Sequence, residues 1–190
     1  MARILIVGGG CRGRRFARRM VEQGHVVRAT TRGEAGRAAI EATGAECWIG
    51  TPDRLATLRG ALENVTVACW MLACARGGAE ELAALHSSRL EFFLSQAIDT
   101  TARGLIYDAW AVPGGPAGET DADGVDTRRP TGEMLAEGAR IFRALTELNA
   151  IPAVVLGGGQ DAVESKREHD ERAWNAAAGD AVAGLLAERH

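Results

Sequence analysis

The chain opens on Arg3-Ile4-Leu5-Ile6-Val7, an apolar run that empties into Gly8-Gly9-Gly10-Cys11-Arg12-Gly13. Gly8, Gly10 and Gly13 spell Gly-x-Gly-x-x-Gly, and an amphipathic helical pattern follows at once. This order constrains the fold more than any other feature, because the glycine spacing carries meaning only between a buried strand and a helix. The first glycine permits a tight turn, the second lets backbone approach a pyrophosphate, and the third lets helix and strand pack closely. Unpaired N–H groups at the helix N-terminus then suit a diphosphate. Gly8, Gly9, Gly10, Cys11, Arg12 and Gly13 are therefore the expected nucleotide-binding residues.

The rest of the chain keeps the same rhythm. Gly13, Phe16, Ala17, Met20 and Val21 share one helical face, and Gly24 closes that helix. A second strand is expected over 25–32, a short helix over 34–43 and a third strand over 45–49. Thr51-Pro52 reads as an N-cap and first turn of a helix reaching residue 62. A fourth strand over 65–73, a long helix over 80–102 and a fifth strand over 104–109 follow. Residues 112–130 lose apolar periodicity and read as a lid or binding loop. A helix over 132–149 leads to a sixth strand over 151–156, and Trp174, Ala177, Ala181 and Leu185 mark a last helix. Such alternation means right-handed βαβ units in an α/β fold, a doubly wound parallel sheet of order 3-2-1-4-5-6 with helices on both faces. Residues 1–159 form the nucleotide-binding domain. Residues 160–190 add a charged, mobile linker and a C-terminal helix to it.

Charge is uneven along the chain. Residues 1–60 hold eleven Arg against five Asp or Glu, whereas the remainder is acidic. A basic half confined to the glycine turn suits a small anionic ligand better than nucleic acid, which asks for a wider basic face. No apolar run approaches the ~18 residues of a membrane span, and no secretory leader is read, so a cytoplasmic location is expected. Cys11, Cys47, Cys69 and Cys74 lack zinc-ligand spacing and read as buried free thiols; no metal site is expected.

With these residues in view, the chain resembles an atypical or extended short-chain dehydrogenase/reductase, in the broad group holding epimerase-like and NmrA-like proteins. Ile4-to-Gly13, Gly24-to-Arg32, Gly44-Ala45-Glu46 and Leu58-to-Val67 carry the likeness, which spans roughly residues 2–156. The resemblance implies a Rossmann NAD(P)-binding domain. It also implies a Tyr-x-x-x-Lys pair with a Ser on the fifth strand, and here the chain departs. Alignment on Ile151-to-Leu156 puts Thr131 at the Tyr position and Leu135 at the Lys position, while Asp108, Ala109 or Trp110 replaces Ser. The sole tyrosine and lysine, Tyr107 and Lys166, are too far apart in sequence for the motif.

NAD-specific folds place an acidic residue at the end of the second strand. This chain offers Thr31 and Arg32 there, and Arg grips a 2′-phosphate through two donors. NADP is therefore the expected cofactor, with Arg12 as a second cation for it; NAD stays open through Glu34. Asp108 and Tyr107, at the carboxyl edge of the sheet, are weak candidates for acid–base chemistry. The blander readings are a turn-capping Asp108 and a core Tyr107. Trp110 is a candidate for stacking on nicotinamide or for simple packing. His86 reads as a surface histidine, and His169 lies in a solvated charge run.

Two function classes follow. One is a ligand-binding or redox-sensing protein without the standard chemistry, acting on a regulatory protein partner. The other is an NAD(P)H-dependent reductase or epimerase-like enzyme with an unusual proton donor. Both take a small-molecule ligand, and neither implies nucleic acid or membrane. The resemblance further implies a homodimer through helices 80–102 and 132–149, with Leu135, Ala136 and Ala139 on the shared face.

Overall fold

The computed structural model describes residues 1–111, 119–120, 126–157 and 171–187. Six strands build one parallel sheet: β1 (Arg3–Val7), β2 (Val26–Thr31), β3 (Glu46–Ile49), β4 (Val67–Trp70), β5 (Gly104–Asp108) and β6 (Ala153–Leu156). Their order is 3-2-1-4-5-6, the order expected from the sequence. β1 lies at the centre, pairing Ile4 to Ile6 with Val27 to Ala29 on one side and with Val67 to Cys69 on the other.

Side-chain alternation along these strands feeds two separate cores. Leu5, Val7, Trp70, Leu105 and Tyr107 face a layer built from α3 (Ala79–Leu85), α4 (Ser88–Ile98) and α5 (Gly132–Leu148). Ile4, Ile6, Cys69 and Ile106 face α1 (Cys11–Glu22), α2 (Arg37–Glu41) and α6 (Glu171–Ala187). Phe16, Ala17 and Met20 bury the predicted face of α1, and Gly24 follows it at φ +82°. Helix α6 runs against α1 and over β5 and β6, burying Trp174, Ala178, Val182 and Leu185.

Several elements depart from the sequence reading, each for a local reason. Residues 51–62 form no α-helix but two 3₁₀ turns, Leu55–Leu58 and Gly60–Leu62. The Trp48 indole N–H donates to the Thr57 carbonyl at 2.7 Å, taking an acceptor that a helix would need. The long helix expected over 80–102 breaks into α3 and α4 at His86-Ser87. There the Ser87 hydroxyl donates to Ala83 O at 2.7 Å, and the backbone leaves helical angles. Strand β4 is shorter than expected. Within the loop expected over 112–130, Glu119–Thr120 and Asp126–Thr127 form a short antiparallel ladder, and Arg128 pairs with Gly77 through two backbone hydrogen bonds. Residues 112–118 and 121–125, the charged linker, Lys166 and His169 lie outside the described residues.

Two further expectations are corrected. Of the four thiols only Cys69 is fully buried; Cys47 and Cys74 are half-buried, and Cys11 is exposed because it starts α1 at the sheet edge. Leu135 and Ala139 point into this chain's own core rather than outward, leaving Ala136 exposed on α5. Among the described residues no helix is long and apolar enough to cross a membrane.

Candidate cofactor and polar site

The glycine turn is built by close approach. Gly8 sits at φ +116°, and a Cβ there would fall 2.4 Å from the Met71 carbonyl oxygen. The Gly9 N–H donates to Thr30 O at 2.9 Å, and a Cβ on Gly9 would meet that same oxygen at 2.4 Å. A Cβ on Gly13 would lie 2.0 Å from Gly8 O, so α1 touches the turn as the motif requires. Gly10 is different. Nothing lies within 4 Å of where its Cβ would stand.

Gly10 is also the N-cap of α1, in extended conformation, with no side chain capping the helix and no acidic residue in its first turn. The leading N–H groups of any helix have no acceptor within it. Here that end is uncapped and the space beside Gly10 is open, with the positive end of the helix dipole behind it. This residue set fits a diphosphate: backbone donors, room for close approach and no acidic residue in the first turn of α1.

At the end of β2, Arg32 is exposed and has no partner among the described residues. Thr31 is half-buried, its hydroxyl donating to Gly33 O at 3.4 Å. Glu34 is engaged elsewhere: Arg37 grips both its oxygens, which holds its carboxyl below the usual range. Glu34 is thus paired, at the surface, with its own neighbour three residues on.

Arg12 does not turn toward β2. Its side chain runs the other way along the sheet edge, where Nη1 donates to Asp108 Oδ2 and to Trp110 O, each at 3.2 Å. The guanidinium carbon also stands 4.9 Å from the centre of the Trp174 ring. Asp108 is fully buried, and its Oδ1 accepts from the Trp174 indole N–H and from the Trp110 N–H, both at 3.0 Å. The second of these is the turn-capping bond of the blander reading. Burial raises the Asp108 pKa; Arg12, Trp174 and the Trp110 N–H pull against it. The reason for Arg12's course is electrostatic: a buried carboxylate left without a cation is costly.

Tyr107, one residue earlier, points to the opposite layer. Its hydroxyl shares a 2.7 Å hydrogen bond with His86 Nδ1 and donates to Leu135 O at 3.4 Å. Both side chains are fully buried, which corrects the reading of His86 as a surface residue. Burial pushes His86 down to about 4 and raises the Tyr107 phenol. The signal for His86 was present in the sequence: it stands four residues after Leu82 and four before Leu90, on the apolar side. The role of Trp174 had no such signal, since its partner lies 66 residues away.

Thr131 and Leu135, which occupy the Tyr and Lys positions by resemblance, have structural duties. Thr131 caps α5 by accepting from the Met134 N–H at 3.2 Å, and Leu135 is buried.

No protein-family model matches the chain, and no curated protein resembles it significantly in sequence. Solved structures do share its fold. A short-chain dehydrogenase/reductase superfamily protein from Agrobacterium tumefaciens, with bound NAD, aligns over 99% of this chain and 62% of its own at 19% identity, TM-score 0.60. The UDP-glucuronic acid 4-epimerase of Bacillus cereus, in complex with NAD, aligns over 80% and 55% at 15% identity, TM-score 0.58. Vestitone reductase from alfalfa aligns over 82% and 56% at 13% identity, TM-score 0.56. The fold is the Rossmann-like α/β fold of these dehydrogenase/reductase and epimerase structures. The chain spans between 55% and 62% of their length.

Proposed function

We propose that this chain binds a nicotinamide dinucleotide across the carboxyl edge of its sheet, prefers NADP(H), and serves as a ligand-binding or redox-sensing protein rather than through Tyr–Lys proton transfer. The observation carrying the cofactor reading is Gly10: an uncapped helix start with open space where any side chain would stand. Backbone amides of Cys11, Arg12 and Gly13 would hold the diphosphate, with Gly8 and Gly9 shaping the turn. Thr31 and Arg32 would meet the adenosine ribose. Such a cofactor brings hydride chemistry of its own; the protein supplies binding and orientation.

The preference for NADP(H) rests on Arg32 being exposed and without a partner among the described residues while Glu34 is paired with Arg37. A charge-assisted grip on a 2′-phosphate contributes about 1.5–3 kcal/mol. Arg32→Ala is therefore expected to weaken NADPH at least tenfold and to leave NADH nearly unchanged, measured by calorimetric titration. Equal affinities untouched by the substitution refute the preference.

The non-catalytic reading rests on the state of the two candidate donors. The Tyr107 hydroxyl is enclosed between His86 and α5, and Asp108 is buried in an ion pair. Neither is placed to exchange a proton with a ligand. An enzyme using a donor from elsewhere is the second reading, favoured by the reductase and epimerases among the similar folds. NADPH oxidation against aldehydes, quinones and nucleotide sugars separates the two. Turnover supports the enzyme; tight binding without turnover, with a protein partner captured in one redox state only, supports the sensor. In either case a soluble homodimer in the cytoplasm is part of the proposal, and light scattering at micromolar concentration tests the dimer.

A further inference from the structure

We infer that Asp108, Arg12 and Trp174 form a positioning cluster through which the seating of α6 and the occupancy of the glycine turn are one coupled equilibrium. This rests on the cofactor reading above. The coupling runs in the favourable direction: the α6-docked state is the one that binds dinucleotide tightly.

The argument starts from connectivity. Arg12 is the second residue of α1, so its backbone belongs to the first turn that faces the diphosphate. Its side chain is only one-tenth exposed and is pinned by Asp108, by the Trp110 carbonyl and by the face of the Trp174 ring. Asp108 in turn divides its two oxygens between Arg12 on one side and Trp174 with the Trp110 N–H on the other. Four segments (the glycine turn, β5, the turn after it, and α6) meet in one closed polar unit. Only one member, Arg12, also lies in the cofactor turn.

The seating of α6 depends on that same helix. Trp174 packs edge-on against Phe16 of α1, with ring centres 5.9 Å apart. Farther along, the Arg19 guanidinium donates to Asn175 O and fills the space beside Gly179, where a Cβ would come within 2.6 Å of it. Arg12 and Arg19 thus each tie α1 to α6, and Arg12 stands in the first turn beside the glycine loop.

The sign follows from charge. Asp108 is fully buried, so Arg12 cannot leave it for a phosphate without stranding a carboxylate in the interior. Arg12 is thus held in place by its own partner, and the first turn of α1 is held with it. Loosening α6 removes one donor from Asp108 and the aromatic face beneath Arg12. The turn then becomes less ordered, and a ligand must order it at the cost of affinity. By linkage, a ligand on the turn stabilises seated α6 by the same factor.

The test uses the full chain, with NADPH and NADH in parallel. Hydrogen exchange of the α6 amides in the unmodified protein should slow by fivefold or more at saturating dinucleotide, the low end of usual coupling. Trp174→Phe keeps the aromatic packing on Phe16 but deletes the N–H to Asp108. It should weaken dinucleotide binding by a similar factor and abolish the ligand-dependent protection. Leu62→Ala, in the opposite core layer, should lower the unfolding midpoint while leaving both readouts intact. A dinucleotide that binds without slowing α6 exchange overturns the inference and leaves the cofactor reading standing; so does Trp174→Phe with unaltered affinity. No binding of either dinucleotide removes the cofactor reading, and the inference with it.

Discussion

Gly138→Ala is the substitution whose outcome most directly tests the enclosure of Tyr107. Gly138 lies in the middle of α5 and faces β5. A Cβ there would fall 2.0 Å from the Tyr107 hydroxyl oxygen, 2.7 Å from Cζ and 3.0 Å from the His86 carbonyl oxygen. Intrinsic helix propensity favours the change by about 1 kcal/mol. Against this stand overpacking, about 1–3 kcal/mol, and the breaking of the Tyr107–His86 hydrogen bond inside the core, about 1–3 kcal/mol. The steric and polar costs win, with a net loss of roughly 3 kcal/mol and a fall in Tm of about 6–12 °C for a chain of this size. Urea unfolding followed by circular dichroism measures it, with Tyr107→Phe as the second arm of a double-mutant cycle. Removing the oxygen relieves the worst contact, so the double variant should be less destabilised than the sum by at least about 1 kcal/mol. Gly138→Ala as stable as the parent, or additivity with Tyr107→Phe, refutes the packing of the sole tyrosine against α5.

The glycine turn makes a paired prediction. Gly13→Ala should destabilise the fold, because its Cβ would meet Gly8 O at 2.0 Å, whereas Gly10→Ala should leave the unfolding midpoint nearly unchanged and weaken dinucleotide binding; thermal melts and titrations of both variants decide it. Stability should also fall as pH drops from 6.5 toward 4. His86 stays neutral in the fold down to about 4 but takes a proton near 6.5 once unfolded, so the unfolded state binds more protons across that window. The cost reaches about 3 kcal/mol at its lower end. His25, also lowered, adds with the same sign, while raised Asp108 opposes it. Chemical denaturation at pH 7 and pH 4.5 reads the slope, and His86→Gln should flatten it; an unchanged slope removes the assignment.

The strands and their order were legible because a doubly wound sheet leaves signals at short range: continuous apolar runs, a glycine turn and helices of fixed period. The tight turn at Gly8 and the close packing at Gly13 were legible for the same reason, each being a demand of local backbone geometry. Helix interruptions were less so. The break at His86-Ser87 and the 3₁₀ turns after Thr51 depend on a serine hydroxyl and a tryptophan N–H claiming particular carbonyls, which no periodicity encodes. The course of Arg12 was invisible for a different reason. Its partners, Asp108 and Trp174, come from β5 and α6, and only the sheet order brings them beside the first turn.

The division of labour along β5 explains what kind of site remains. Neighbouring residues on a strand face opposite layers, so Tyr107 and Asp108, adjacent in sequence, cannot serve one active centre. Each has instead become the hub of a separate buried polar unit: Tyr107 with His86 under α5, Asp108 with Arg12 and Trp174 under α6. Both units are enclosed, and burial holds Tyr107 protonated and His86 neutral at ordinary pH. Tyr107, His86 and Asp108 are thereby withdrawn into the layers on either side of the sheet. Among the described residues, the carboxyl edge still presents main-chain amides beside Gly10 and an exposed, unpaired Arg32. Those are binding groups, and the chemistry they suit is recognition of phosphates.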